Sequence, residues 1–121
     1  MREWAGAPLL EAKPLPPPSF PEIEEQDLRL LAWNKLGIVR NGDALAEAEA
    51  ALEAVAMRPC AKPSRPLFEL RGMHEAACLV ARCALARKES RGAHYRSDYP
   101  DKDPDFQKHS LITRDNDVTF Y

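Results

Sequence analysis

Three stretches of this chain carry apolar residues at helical spacing, separated by proline-rich or glycine-marked segments. In the first, Leu28, Leu31, Ala32 and Lys35 share a stripe that Leu30 and Trp33 broaden. That width predicts a helix over residues 23–36 with burial on two sides. Gly37 supplies a stop, and Asn41-Gly42 signals a turn. In the second, Leu45, Ala48, Leu52 and Val55 recur at spacings of 3, 4 and 3. They predict a helix from an Asp43 N-cap to about Met57, with Glu47, Glu49 and Glu53 on its acidic remainder. In the third, Leu70, Met73, Ala77, Val80, Ala84 and Arg87 form the longest row. It predicts a helix over residues 67–90, with Gly92 as its C′ residue and Arg82, Arg87, Lys88 and Arg91 complementing its dipole.

The flanks read differently. Pro8, Pro14, Pro16, Pro17, Pro18 and Pro21 remove backbone donors, so residues 1–22 are an extended arm or linker. Trp4, Leu9, Leu10, Leu15 and Phe20 predict that the arm lies on another surface. Residues 101–121 read as an irregular tail; Val118-Thr119-Phe120-Tyr121 has β character but no obvious partner strand. The expectation is an all-α fold: an antiparallel up-down-up three-helix bundle over residues 23–100, with a Pro-rich arm before it and the tail after it. The acidic second helix and basic end of the third attract each other, at ~1 kcal/mol or less per exposed pair, so packing dominates.

Length and charge narrow the classes. The chain has 121 residues and a net charge of −2, which suits one domain without a global pull toward nucleic acid or an anionic membrane. No apolar run approaches the ~20 residues that span a bilayer. The opening residues carry no signal-peptide core, so a cytoplasmic protein is expected. Cys60, Cys78 and Cys83 are an odd set at spacings unlike a disulfide framework, and reduced, mostly buried thiols are expected.

The densest chemistry lies in residues 88–100. Arg91, His94 and Arg96 supply donors suited to a carboxylate or phosphate. The favoured reading is a network, with Glu89 and Asp98 as partners and Tyr95 and Tyr99 beside it, that docks this turn onto another domain. Ser90, His94 and Asp98 crowd within nine residues without a nucleophile elbow, so they do not read as a catalytic triad. His74 and Cys78 are four apart, half of a metal site with no second pair, so a core-edge histidine is expected. His109 reads as surface contact. No catalytic, cofactor-binding or metal-binding residue is assigned within the chain.

Three segments carry a family resemblance. They are Leu30-Leu31-Ala32-Trp33-Asn34-Lys35-Leu36-Gly37-Ile38-Val39-Arg40-Asn41-Gly42, then Glu69-Leu70-Arg71-Gly72-Met73, then Ala86-Arg87-Lys88-Glu89-Ser90-Arg91-Gly92-Ala93-His94-Tyr95-Arg96-Ser97-Asp98-Tyr99-Pro100. Over about residues 28–110 the chain resembles the C-terminal region of the succinate dehydrogenase/fumarate reductase flavoprotein family. Tyr95 and the Arg-Ser-Asp-Tyr-Pro after it are similar to the L-aspartate oxidase branch. Phe106-Gln107-Lys108-His109-Ser110 stands where dehydrogenase and fumarate reductase subunits carry an acidic stretch with a Trp before Lys-His-Thr. Those subunits also carry a longer tail.

The resemblance implies a C-terminal domain attached to flavin-binding and capping domains of the same parent chain. It implies FAD in that parent, oxidation of L-aspartate to iminoaspartate, and reoxidation of the flavin by oxygen or fumarate. The product would pass to quinolinate synthase in NAD synthesis. The family's dicarboxylate-binding His and Arg lie in the other domains, and none maps here. No Gly-x-Gly-x-x-Gly fingerprint occurs, so this chain is expected to be a fragment that binds no FAD itself. Two other readings are the equivalent domain of a dehydrogenase or fumarate reductase subunit, and a free-standing helical interaction module. What precedes the Met1 codon separates fragment from module. A fragment also predicts a contiguous apolar patch near Trp33 or near residues 95–99.

Overall fold

The computed structural model describes residues 14–113 and 116–121, so the arm expected over residues 1–22 is seen only from Pro14. The three helices form close to where the apolar periodicity sets them. They are α1 (Glu25–Lys35), α2 (Gly42–Glu53) and α3 (Arg65–Ala86). Leu28, Leu36, Leu45, Ala48, Leu52, Ala77, Ala81 and Ala84 are the buried core where they meet. Leu45 and Leu52 are fully enclosed, each contributing roughly 1.5–3 kcal/mol. Small residues on α3 face these leucines, so the helices approach closely.

Local details depart from the sequence pattern. The cap of α2 is Asn41, whose Oδ1 accepts the Ala44 N–H at 2.9 Å, in place of the expected Asp43. On α3 the inward row is His74, Ala77, Ala81 and Ala84, while Val80 faces outward. The helix ends at Ala86, short of the expected residue 90, because Arg87 turns extended (φ −85, ψ 102).

The all-α expectation does not hold. Among the described residues six short strands make three two-stranded sheets, so the domain is α+β. β1 (Ser19–Pro21) pairs antiparallel with β3 (Met57–Pro59). β2 (Val39–Arg40) pairs parallel with β4 (Tyr95–Arg96). β5 (Ser110–Thr113) pairs antiparallel with β6 (Asn116–Phe120). Strands of two to five residues are too short to show a two-residue alternation. Pro21 and Pro59 also argue against strands by propensity, yet a two-stranded ribbon consists only of edges, where proline is tolerated.

Two of these ribbons fasten the segments at either end of the described residues. Phe20 is buried edge-on against Phe68 (5.1 Å between ring centroids, 84°), with the Arg71 guanidinium over both rings. The tail is a hairpin and not irregular. Phe120 meets Phe106 edge-on at 5.0 Å, and the Arg87 guanidinium lies over both. Arg82 reaches Asn116 O at 3.3 Å and Asp117 at 3.6 Å, so this α3 cation turns to the tail. The acid Glu47 of α2 pairs instead with Lys35 of α1.

Candidate functional site

The turn after α3 is organised around a carboxylate. Arg91 and His94 exchange backbone hydrogen bonds of 2.8 and 3.0 Å across Gly92-Ala93. Gly92 has φ +59, which the first loop position of a type II′ hairpin requires. Its role is therefore this turn and not the helix C′ position. Glu89, fully buried, accepts from Arg87 Nη1 (2.6 Å) and Arg91 Nε (2.9 Å) on one oxygen. Its other oxygen accepts from Arg91 Nη2 and the Asp103 N–H, both at 3.0 Å. Hydrogen bonding from Arg91, above all, holds its pKa down at about 2 against the cost of burial.

A second ion pair joins two helix ends. Arg96 is 2% exposed, and its Nη1 donates to Leu85 O (2.9 Å), Ala84 O (3.2 Å) and Arg87 O (3.4 Å). These are carbonyls at the C-terminus of α3 that have no partner within the helix. Its other nitrogens bind both oxygens of Asp98, at 3.0 and 2.5 Å. Asp98 in turn accepts the Gly42 N–H at 3.0 Å, at the start of α2. A Cβ on Gly42 would stand 2.8 Å from the Arg96 guanidinium and 2.9 Å from Asp98 Oδ2.

Arg40 performs the same service for α1, donating to Leu36 O (3.2 Å) and Gly37 O (2.9 Å). Its Nη1 also reaches His94 Nδ1 at 3.0 Å, while His94 Nε2 lies 3.1 Å from Arg87 O. These partners assign Nδ1 as acceptor and Nε2 as the protonated nitrogen. Burial first, and the nearby arginines next, push the His94 pKa down. The Ser90 hydroxyl accepts the Arg96 N–H (2.8 Å) and donates to Tyr99 O (2.7 Å). Ser90, His94 and Asp98 thus each have other partners.

The residues singled out in the sequence divide into two groups. Glu89 and Arg96 are buried, His94 and Arg91 are half-buried and Asp98 is exposed, yet the polar groups of all five tie this chain to itself. Tyr95 and Tyr99 are exposed. Sequence reasoning missed Arg40 and Arg87, which complete the network, and passed over Ile38 and Val39. Their signal was an apolar pair standing directly after a helix stop. Val39 pairs with Tyr95, so both stand side by side on the β2–β4 ribbon. Trp33 (81% exposed), Ile38 (84%), Val39 and Tyr95 all stand open to solvent at and just beyond that end of α1. A groove of about 520 Å³ runs between α1 and α3 beside Trp33, lined by Ala32, Leu36, Met73, Ala76 and Val80.

The remaining candidates are structural. His74 is buried, with Nε2 3.0 Å from Leu52 O and 3.8 Å from Cys78 Sγ. All three cysteines are free, and burial raises the Cys78 and Cys83 thiols. Among the described residues no three His, Cys, Asp or Glu side chains gather as a metal cluster. No described helix is long and apolar enough to cross a membrane.

The three helices, the Glu89 turn and most of the C-terminal hairpin lie within one segment that matches a known family. Residues 25–120 match the fumarate reductase flavoprotein C-terminal domain, and the chain belongs to that family. Its relatives there include L-aspartate oxidases. That of Rhodospirillum rubrum is 39% identical over 103 residues, covering 85% of this chain and 35% of that protein. That of Vibrio cholerae is 38% identical over 81 residues, covering 63% of this chain and 15% of that protein. An uncharacterised FAD-dependent oxidoreductase of Methanocaldococcus jannaschii is 34% identical over 93 residues, 72% of this chain and 17% of that one. The chain therefore spans about a third or less of the length of these relatives.

Proposed function

We propose that this chain is the C-terminal domain of an FAD-dependent L-aspartate oxidase. The parent converts L-aspartate to iminoaspartate in NAD synthesis and hands the product to quinolinate synthase. The chain's own role is to dock against the flavin-binding and capping domains. The observation that carries the reading is the open apolar area of Trp33, Ile38, Val39 and Tyr95. A self-sufficient small domain gains nothing from leaving a tryptophan and two aliphatic side chains in water. Lengths agree, since the named relatives extend far beyond the matched segment.

The described residues do not fit a flavin cradle. A pyrophosphate site needs open N–H groups at a glycine-rich helix start. The glycine-opened start of α2 is already occupied by the Asp98 carboxylate. FAD therefore belongs to the rest of the parent, and no catalytic step is assigned to this chain.

The test is an assay of the full-length parent and its Trp33→Asp, Val39→Asp variant. Aspartate-dependent peroxide formation by the parent, lost or strongly reduced in the variant while both chains stay folded, supports the reading. Succinate–dye reduction without aspartate activity makes the parent a dehydrogenase or fumarate reductase subunit. An unaffected variant removes the docking role.

A further inference from the structure

Arg91, set within the Glu89 network, keeps one edge of its guanidinium free. Its Nε and Nη2 donate to Glu89 and to Asp103 O, whereas Nη1 has no partner among the described residues. It borders a cleft of about 440 Å³ with Arg87, His94, Lys108, His109 and Tyr121. The walls are fixed. All terminal N–H groups of Arg87 are engaged, by Glu89, Phe106 O, Lys108 O and Ser110 Oγ. His109 and Tyr121 exchange backbone hydrogen bonds of 2.9 and 3.1 Å, and their rings lie 5.7 Å apart. The cleft lining holds three Lys or Arg side chains and no Asp or Glu side chain. Glu89 answers one of those charges from behind, and the Asp103 carboxylate acts on Arg91 from outside the lining.

We propose that this cleft binds a small organic anion with a flat body. Its carboxylate or phosphate meets Arg91 Nη1 and the Lys108 ammonium, and its ring lies against Tyr121 and His109. With Nε and Nη2 held by Glu89 and Asp103 O, Arg91 offers the ligand its Nη1 alone, a single charge-assisted donor in a fixed direction that suits either oxyanion. His94 and Arg96, the other donors noted in the sequence, take no part because both are engaged internally. The site is independent of the docking surface, which lies at Trp33, Val39 and Tyr95.

The test is an amide-resolved NMR titration of the 121-residue chain with benzoate and, separately, phenyl phosphate, with chloride adjusted to hold ionic strength constant. The expected result is saturable shifts at Arg91, Lys108, His109 and Tyr121 in at least one series, the stronger series identifying the oxyanion. Lys108→Ala should weaken binding about tenfold, the loss of one charge-assisted hydrogen bond. The Lys108 side chain makes no bond in the Glu89 network, so that variant keeps the fold. Absence of saturable shifts with both probes, or unchanged affinity in Lys108→Ala, overturns the proposal.

Discussion

The turn around Glu89 and the apolar area around Trp33 and Val39 share one strand pair yet follow opposite rules. In the turn, Glu89 and Arg96 are buried and every oxygen of the Glu89 carboxylate is paired. On the apolar side, Trp33 and Ile38 are more than four-fifths exposed, with nothing among the described residues to cover them. The turn is rich in ionisable residues and invites a functional reading, but its chemistry is directed at helix ends. The plain apolar residues beside it are the ones left open to solvent. Chemical richness in a sequence therefore marks where this fold is locked, and its open apolar surface lies in the least reactive residues.

Breaking the inner side of this comparison should have the largest effect. Glu89→Gln leaves two arginines around a neutral amide, and the expected loss is roughly 3–5 kcal/mol, read by urea unfolding. A loss under 1 kcal/mol would mean that the carboxylate is not the organising group. Gly42→Ala comes next, at about 1–3 kcal/mol, because Arg96 and Asp98 are held from several sides and cannot yield to the new methyl.

The pH dependence sharpens the same side. Glu89, held at about 2 instead of 4.5, contributes stability that is complete above pH 4.5 and vanishes as pH falls toward 2. His94, whose pKa is depressed, contributes stability present above its ordinary value of 6.5 and lost as pH falls through its lower folded value. Unfolding midpoints should thus decline in two stages on acidification. His94→Gln should cost about 1 kcal/mol at neutral pH and remove the first stage only. The smallest effect belongs to the outer side: Trp33→Ser should change the stability of this chain by less than about 0.5 kcal/mol. A larger loss would show that the tryptophan belongs to the core of this domain.

Much of this was legible in the sequence, and unevenly. Leu28, Leu45, Ala48, Leu52, Ala77 and Ala84 lie in the core because helical periodicity reports burial directly. Helix ends were less visible. Asn41 caps α2 through its side chain, whereas Asp43 matched the pattern equally well. The end of α3 is set by Arg96, ten residues beyond Ala86, through contacts that no local pattern encodes. The ribbons were missed for a related reason. Val39-Arg40 becomes a strand only because Tyr95-Arg96 arrives beside it. The tail came closer: Ser110–Thr113 and Asn116–Phe120 are β-prone runs separated by two residues, but only the second was noticed. For the site, the residue types of the turn were evident from the sequence, while their inward direction was not. That direction follows from three helix ends converging on one place, a property of topology.

The pairing of Gly42 with Asp98 also has a kinetic side. These residues stand 56 positions apart, and Arg40 and His94 stand 54 apart. Contacts of such sequence separation carry the loop-closure cost and assemble late, after local helices have formed. During synthesis, residues 39–42 must wait for residues 94–98 to emerge before β2 can exist. The strand pair that displays Val39 and Tyr95 is then among the last elements completed, so the apolar surface takes shape only when nearly the whole domain is available to support it.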